Sequence, residues 1–424
     1  MADFTVAAAV WLWGERVGVV AETSAGGVVF EYLPEFRRSG LEISPRHLPL
    51  SRLGPIEFSA LRPLEAFLGL PGVLADSLPD RFGNAVIAQY FAREGRPEAA
   101  LSPVQRLLYV GRRAMGALEF EPALDVPRTD QVEEALEVSR LVAEARQIIE
   151  GRMDVAVPEM MQLGASAGGA RPKAVIHWNP MRNEVRSGVA PLRPGDEAWL
   201  LKFDGVGELE HPDPEPQPYN RIEYAYTLMA RAAGIDTAEV RLLEERRLGH
   251  LMSRRFDRRG DQRIHMHSLG GLDHVDYNVP GRYSYEQYFR VVLELGLPPA
   301  AVDEAFRRAV FNVVARNQDD HVKNFAFLME RDGTWRLSPA YDLTFAKGTG
   351  YTRRHQMTLN GKNDGFVRGD LLALGAKFGV KQDGAAIINQ VVDAVADWER
   401  CAVEAKVPRE RIAEIGMLQR RIGG

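Results

Sequence analysis

The segment VVARNQDDHVKNFAFLMERDGTWRLSPAYDLTF, residues 313–345, decides how this chain is read. An apolar run breaks into Asn317, Gln318, Asp319, Asp320 and His321 and resumes at Phe325. Buried polar groups cost free energy unless each finds a partner, so a polar interruption between two core segments calls for a reason. After Asn324 come NFAFLM, ERDG and TWRLS, two strand-like runs around a glycine turn, which predict a hairpin. That hairpin delivers the chain to SPAYDLTF and returns Asp342 toward Asp319.

Asp319 and Asn324 have the Asp-x-x-x-x-Asn spacing of a protein-kinase catalytic loop, in which the aspartate accepts a hydroxyl proton and the asparagine holds Mg²⁺. On that template Asp342 is the second metal ligand. Such a pair alone arises by chance in long chains, so the weight falls on what surrounds it. Lys202 lies inside the strand-like AWLLKF, where a lysine in an apolar run needs an anionic partner. Glu223, in the first turn of the next helix, is the candidate for that ion pair. Gly164, Gly168 and Gly169 precede the strand KAVIHW and would let backbone N–H groups approach phosphates. Lys173 does not directly follow Gly169, so this is no Walker A loop. Glycine loop, strand lysine, helix glutamate, catalytic loop, hairpin and aspartate occur in the order of a two-lobed kinase.

Two other classes stay open. Asp319, Asp320 and His321 with His265 and His267 would make an oxygen and nitrogen set for a divalent-metal hydrolase. A kinase-fold protein that binds partners without catalysis is the other. The arginine cluster SRRFDRRGDQR reads as a solvated turn.

The 424 residues are too many for one ordinary domain, and 45% are apolar, enough for real cores. Lysine and arginine number 53 against 58 acidic residues, a net charge of −5, which argues against an autonomous nucleic-acid binder. One cysteine, Cys401, excludes an internal disulfide and a cysteine-rich metal site and fits a reducing compartment. The N-terminus carries Asp3 and no basic region, so it reads poorly as a signal peptide, and no apolar run is long enough to span a membrane. The expected location is the cytoplasm. Residues 5–33 predict an antiparallel sheet with a turn at Glu15-Arg16, and SLPDRFGNAVIAQYFAREG predicts a helix capped by Ser77. Proline and charge in DVPRTDQVEEA place a boundary near 125 to 130. RIEYAYTLMARAAG predicts a half-buried helix capped by Asn220 and stopped by Gly234.

GASAGGARPKA, AWLLKF, RRFDR, RIHMHSLGGL, NQDDHVKNFAFL and SPAYDLTF, with GLPGVLADSLPDRFG and GRRAMGALEFEP near the N-terminus, resemble the HipA-like serine/threonine kinase toxins of bacterial type II toxin–antitoxin systems. The resemblance spans essentially the whole chain. It implies an α+β, two-lobed protein-kinase-like fold with a small N-terminal α+β subdomain (1–125), a kinase N-lobe-like region with the glycine-rich loop (126–255) and a mostly helical C-lobe (256–424). It implies ATP and Mg²⁺ as cofactors, Asp319 as catalytic base, Asn324 and Asp342 as magnesium ligands and Lys202 as the phosphate-binding lysine. Arg254 to Phe256 would be the adenine hinge, with Arg254 standing where the family often has glutamate. Ser166 matches the family's autophosphorylation site, where added negative charge beside the ATP phosphates would repel nucleotide. The resemblance further implies a small helix-turn-helix antitoxin, DNA contact mainly through it, and an aminoacyl-tRNA synthetase as the phosphorylated protein.

Overall fold

A computed structural model describes residues 4–93, 101–122, 136, 138–149, 171–206, 217–245 and 247–422. The N-terminal part is built on β1 (Phe4–Leu12), β2 (Glu15–Thr23), β3 (Val28–Tyr32), β4 (Ile56–Glu57) and β5 (Leu118–Glu121). They form an antiparallel sheet in the order β4-β3-β2-β1-β5. Its first turn is Trp13-Gly14, both at positive φ (53° and 86°), as a two-residue hairpin needs. The expected turn at Glu15-Arg16 is therefore corrected: Glu15 and Arg16 already pair with Leu12 and Trp11. Around the sheet lie α1 (Pro34–Arg37), α2 (Gly72–Ala75), α3 (Arg81–Arg93) and α4 (Pro103–Val110). Val10, Leu12, Phe30, Leu107 and Phe120 fill the core between them. Helix α3 starts only past Pro79, and its cap is Asp80, whose Oδ1 accepts the Gly83 N–H at 2.7 Å; the expected Ser77 cap lies too far upstream.

A second five-stranded sheet has the order β7-β6-β8-β10-β9. Its strands are β6 (Lys173–Asn179), β7 (Glu184–Ser187), β8 (Glu197–Lys202), β9 (Val240–Glu245) and β10 (Leu248–Arg254), preceded by α5 (Val138–Ile149). Between β8 and β9 runs α6 (Tyr219–Ala232), which buries Ile222, Ala225, Tyr226 and Met229. Asn220 lies inside this helix and is not its cap: its Nδ2 donates to the Lys202 carbonyl at 3.0 Å, tying the start of α6 to the end of β8. Gly234 follows at φ 80°, the left-handed conformation that ends a helix.

The remainder is mostly helical. A short hairpin of β11 (Arg258–Arg259) and β12 (Gln262–Arg263) leads to β13 (His265–Ser268) and α7 (Leu269–Leu272). Strand β14 (Tyr283–Ser284) opens α8 (Tyr285–Glu294), and α9 (Pro299–Val314) carries Phe306, Val310 and Phe311 into the core. The predicted hairpin is present as β15 (Ala326–Met329) and β16 (Trp335–Leu337), and β15 also pairs with β13. After β17 (Met357–Thr358) come α10 (Arg368–Phe378), α11 (Gly384–Ala396), α12 (Trp398–Glu404), which buries Cys401, and α13 (Arg409–Leu418).

The N-terminal unit docks along the junction between the other two. A Cβ on Gly72 would lie 1.8 Å from the Gly271 carbonyl oxygen, so α2 and α7 approach backbone to backbone. The arginine cluster is part of this junction and only partly solvated, which corrects the turn expected there. Arg255 and Asp257 are buried, and the Asp257 carboxylate accepts from Arg255, from Arg258 and from the Gly116 N–H at 2.7 Å. Burial pushes the Asp257 carboxyl up, but the two guanidinium groups outweigh it and hold it well below the usual range.

Candidate active site

Lys202 ends β8 with its ammonium enclosed, and the sequence explains how that is tolerated. Nζ donates to both Glu223 oxygens, at 2.7 and 2.8 Å, and to Asp342 Oδ1 at 2.5 Å. The lysine thus joins the second sheet, α6 and the segment beyond the hairpin. Burial alone would lower the Lys202 pKa; Asp342 and Glu223 outweigh it and hold the ammonium well above the ordinary lysine value. Asp342 responds in the opposite sense, held below the usual carboxylate range by Lys202 and Lys173 despite burial. Its φ of 56° is rare for a residue with a Cβ, and such strain persists where the surroundings demand it.

The polar interruption turns out to contain two kinds of residue. Asp320 is fully enclosed and satisfied: its Oδ2 accepts from Tyr285 Oη at 2.7 Å and His355 Nδ1 at 2.8 Å, and its Oδ1 from the Gln356 N–H at 2.7 Å. Asn317 is anchored to Asn312 through side chain and backbone. Asp319 points elsewhere. Its Oδ1 is buried and has no hydrogen-bond partner among the described residues, with His321 Nε2 3.8 Å away. Burial raises the Asp319 pKa, with Asp342 and Asp320 adding to the effect and His321 opposing it. Asn324 donates from Nδ2 to the Asp319 carbonyl at 2.9 Å, which leaves its Oδ1 available. The Tyr341 hydroxyl donates to the Lys323 carbonyl at 2.7 Å and pins the returning segment to the loop.

Lys202, Glu223 and Asp342 are therefore in direct contact, and Asp319 and Asn324 belong to one short loop that feels the Asp342 charge. Phe256 lies at the junction, its ring 5.5 Å from that of Tyr341 beside Asp342. Arg254 is turned away: it pairs with Glu239 at 2.9 Å and Glu197 at 3.4 Å, and its N–H donates to the Glu239 carbonyl. Ser166, Gly164, Gly168 and Gly169 lie outside the described residues. The histidines of the hydrolase reading are not brought to His321. His265 bonds the Ile43 carbonyl, His267 bonds Asp76 and Ser44, and no cluster of three or more His, Cys, Asp or Glu able to hold a metal occurs among the described residues.

The oxygen donors that remain, Asn324 and Asp342, suit a hard cation bound jointly with phosphates and not by an all-protein cage. Sequence reasoning missed the residues that hold this arrangement from a distance, namely His355 and Tyr285 behind Asp320, and Asp80, which pairs with Lys173. Only Asp80 left a local sign, as an acid just before a helix.

No helix among the described residues is long and apolar enough to cross a membrane. Residues 8–121 match the HipA N-terminal domain and residues 165–398 the HipA-like C-terminal domain. Similar proteins include the one named "Putative kinase Y4dM" of Sinorhizobium fredii, 23% identical over 362 residues, which cover 78% of this chain and 75% of that protein. The serine/threonine-protein kinase toxin HipA of Shewanella oneidensis is 27% identical over 142 residues, 28% of this chain and 33% of that one. The solved structure of Shewanella oneidensis HipA with HipB and operator DNA superimposes with a TM-score of 0.68 at 18% identity, covering 97% of this chain and 94% of that one. The shared architecture is α+β, two-lobed and kinase-like. With one family model covering more than half its length and a second covering the N-terminal sheet, the chain belongs to the HipA family.

Proposed function

We propose that the chain is an ATP- and Mg²⁺-dependent serine/threonine protein kinase acting as a toxin, with Asp319 as its catalytic base. The observation that carries this reading is the buried Asp319 Oδ1 without a hydrogen-bond partner among the described residues, on the same loop as Asn324 and within the field of Asp342. A carboxylate so placed is free to accept the proton of an incoming hydroxyl. Bound MgATP supplies the phosphoryl group to be transferred. Lys202, oriented by Glu223, would hold the α and β phosphates, while Asn324 Oδ1 and Asp342 would hold Mg²⁺. To hold the cation Asp342 would have to share or give up its contact with Lys202. The backbone of residues 254–256 forms the hinge for adenine; because the Arg254 and Arg255 N–H groups are already engaged by the Glu239 and Ala198 carbonyls, recognition there falls to the remaining backbone groups of the segment. Gly168 and Gly169 cover the phosphates, and Ser166 is the autophosphorylation site.

In this reading residues 1–125, 126–255 and 256–424 are the N-terminal subdomain, N-lobe and C-lobe. The protein works in the cytoplasm, phosphorylates an aminoacyl-tRNA synthetase, and is restrained by a helix-turn-helix antitoxin through which it meets DNA. The support for an antitoxin partner is the shared fold with a HipA solved together with HipB and operator DNA. Intact-mass measurement of the purified chain with ATP and Mg²⁺ tests the chemistry. Addition of one phosphoryl group mapping to Ser166 is the expected result, and no incorporation into the chain or any added protein would favour a non-catalytic partner of the antitoxin.

A further inference from the structure

Lys173 and Lys202 are direct cross-strand partners on β6 and β8, so their side chains leave the same face of the sheet about 5 Å apart at Cβ. Like charges directly opposite are destabilising, and both side chains are almost wholly enclosed, 5% and 11% exposed. Each lysine has its own carboxylate. Lys202 has Glu223, from α6. Lys173 has Asp80, from the N-terminal part of the chain, with Nζ 3.4 Å from Oδ2 and the Asp80 side chain 2% exposed.

Asp80 is fixed before it meets the lysine. Its Oδ1 caps α3 through Gly83, and Oδ2 makes no hydrogen bond among the described residues, its ion pair with Lys173 aside. Four residues earlier, Asp76 accepts from His267 Nδ1 at 2.7 Å, Ser268 N–H at 2.7 Å and Ser268 Oγ at 2.5 Å. The segment 76–80 therefore grips β13 of the C-lobe with one acid and β6 of the N-lobe with the other. A buried ion pair is poor at adding stability, so tethering two domains is a weak reason for placing this one in register with Lys202. Burial raises the Asp342 carboxyl, and Lys202 and Lys173 outweigh it and hold it down, in keeping with both lysines lying near that carboxylate.

We propose that Asp80 is a positioning residue of the phosphate subsite, holding Lys173 beside Lys202 so that two ammonium groups face the phosphates of a nucleoside triphosphate. The proposal rests on the kinase reading above and adds that the N-terminal domain helps to build the nucleotide site. Calorimetric titration of the full chain with ATP and with adenosine, each with Mg²⁺, tests it in the wild type, Asp80→Asn, Lys173→Met and the double variant. Loss of one charged contact predicts ATP binding weakened about tenfold or more in each single variant. Adenosine affinity stays within about twofold, because the phosphates alone meet the lysines, and the double variant is no weaker than Lys173→Met, as expected for residues acting as one unit. An unchanged ratio of ATP to adenosine affinity in Asp80→Asn and Lys173→Met overturns the proposal. Should Asp80→Asn fail to fold, the Lys173→Met ratio decides by itself. A wild type that binds ATP no better than adenosine would sink the kinase reading together with it, whereas a wild type that prefers ATP beside variants that do so equally sinks only this inference.

Discussion

Asp319 and Asp320 are neighbours with the same side chain and opposite circumstances. Asp320 is enclosed, and its two oxygens accept from Tyr285, His355 and the Gln356 N–H. Asp319 keeps a buried oxygen with no partner among the described residues and a carboxyl whose pKa is raised by burial. The difference shows how one loop divides its labour. The satisfied acid fixes the loop to the segment around His355, and the unsatisfied one keeps its capacity for a ligand or a proton.

Substitution at each position should separate these roles. The largest effect expected is on turnover: Asp319→Asn should lower kcat by about 10²–10⁴-fold, the range for loss of a general base, with a melting temperature within about 2 °C of wild type. Lys202→Met should cost about 10²–10³-fold in transfer rate, as loss of a preorganised charge does, and leave Glu223 without its cation. Asp320→Ala should act mainly on stability. It strands donors from Tyr285, His355 and Gln356, and urea unfolding should show a loss of about 3 kcal/mol, whereas an unchanged midpoint would show that the loop does not need this anchor.

The two smaller effects are read by pH. Because the base must be ionised and its pKa is raised, the wild-type transfer rate should fall on acidification with a midpoint above the ordinary carboxylate range, and a midpoint within that range would remove the argument from burial. Asp257 has the opposite sign. Its folded pKa is depressed, so its contribution to stability is fully present above the unfolded value of about 3.9 and is lost as pH falls toward the folded one. Urea midpoints should drop below about pH 4 in the wild type, and Asp257→Asn should flatten that part of the curve.

Much of the candidate site could be read from sequence because the residues that a kinase template asks for follow one another along the chain in a fixed order of elements. Lys202, Glu223 and Asp342 were expected to converge, and they are in contact. The hairpin after Asn324 was legible because a glycine turn between two apolar runs is a local signal. What escaped reading depends on tertiary approach. Asp80 is separated from Lys173 by more than ninety residues, and His355 from Asp320 by 35, so no spacing rule connects them. The misplaced caps have separate causes: α3 starts past Pro79, which moves the cap from Ser77 to Asp80, and Asn220 serves a neighbouring element by donating to the Lys202 carbonyl. The turn at Trp13-Gly14 was missed because tryptophan is a poor turn signal, although Gly14 supplied half of one.

Transfer of labelled phosphate from ATP by Asp319→Asn and by wild type, with ATP affinity measured on the same samples, tests the central claim most directly. Wild-type incorporation, together with its loss in a variant that still folds and binds ATP, is the predicted result; equal incorporation in the variant would contradict the assignment of Asp319 as the base.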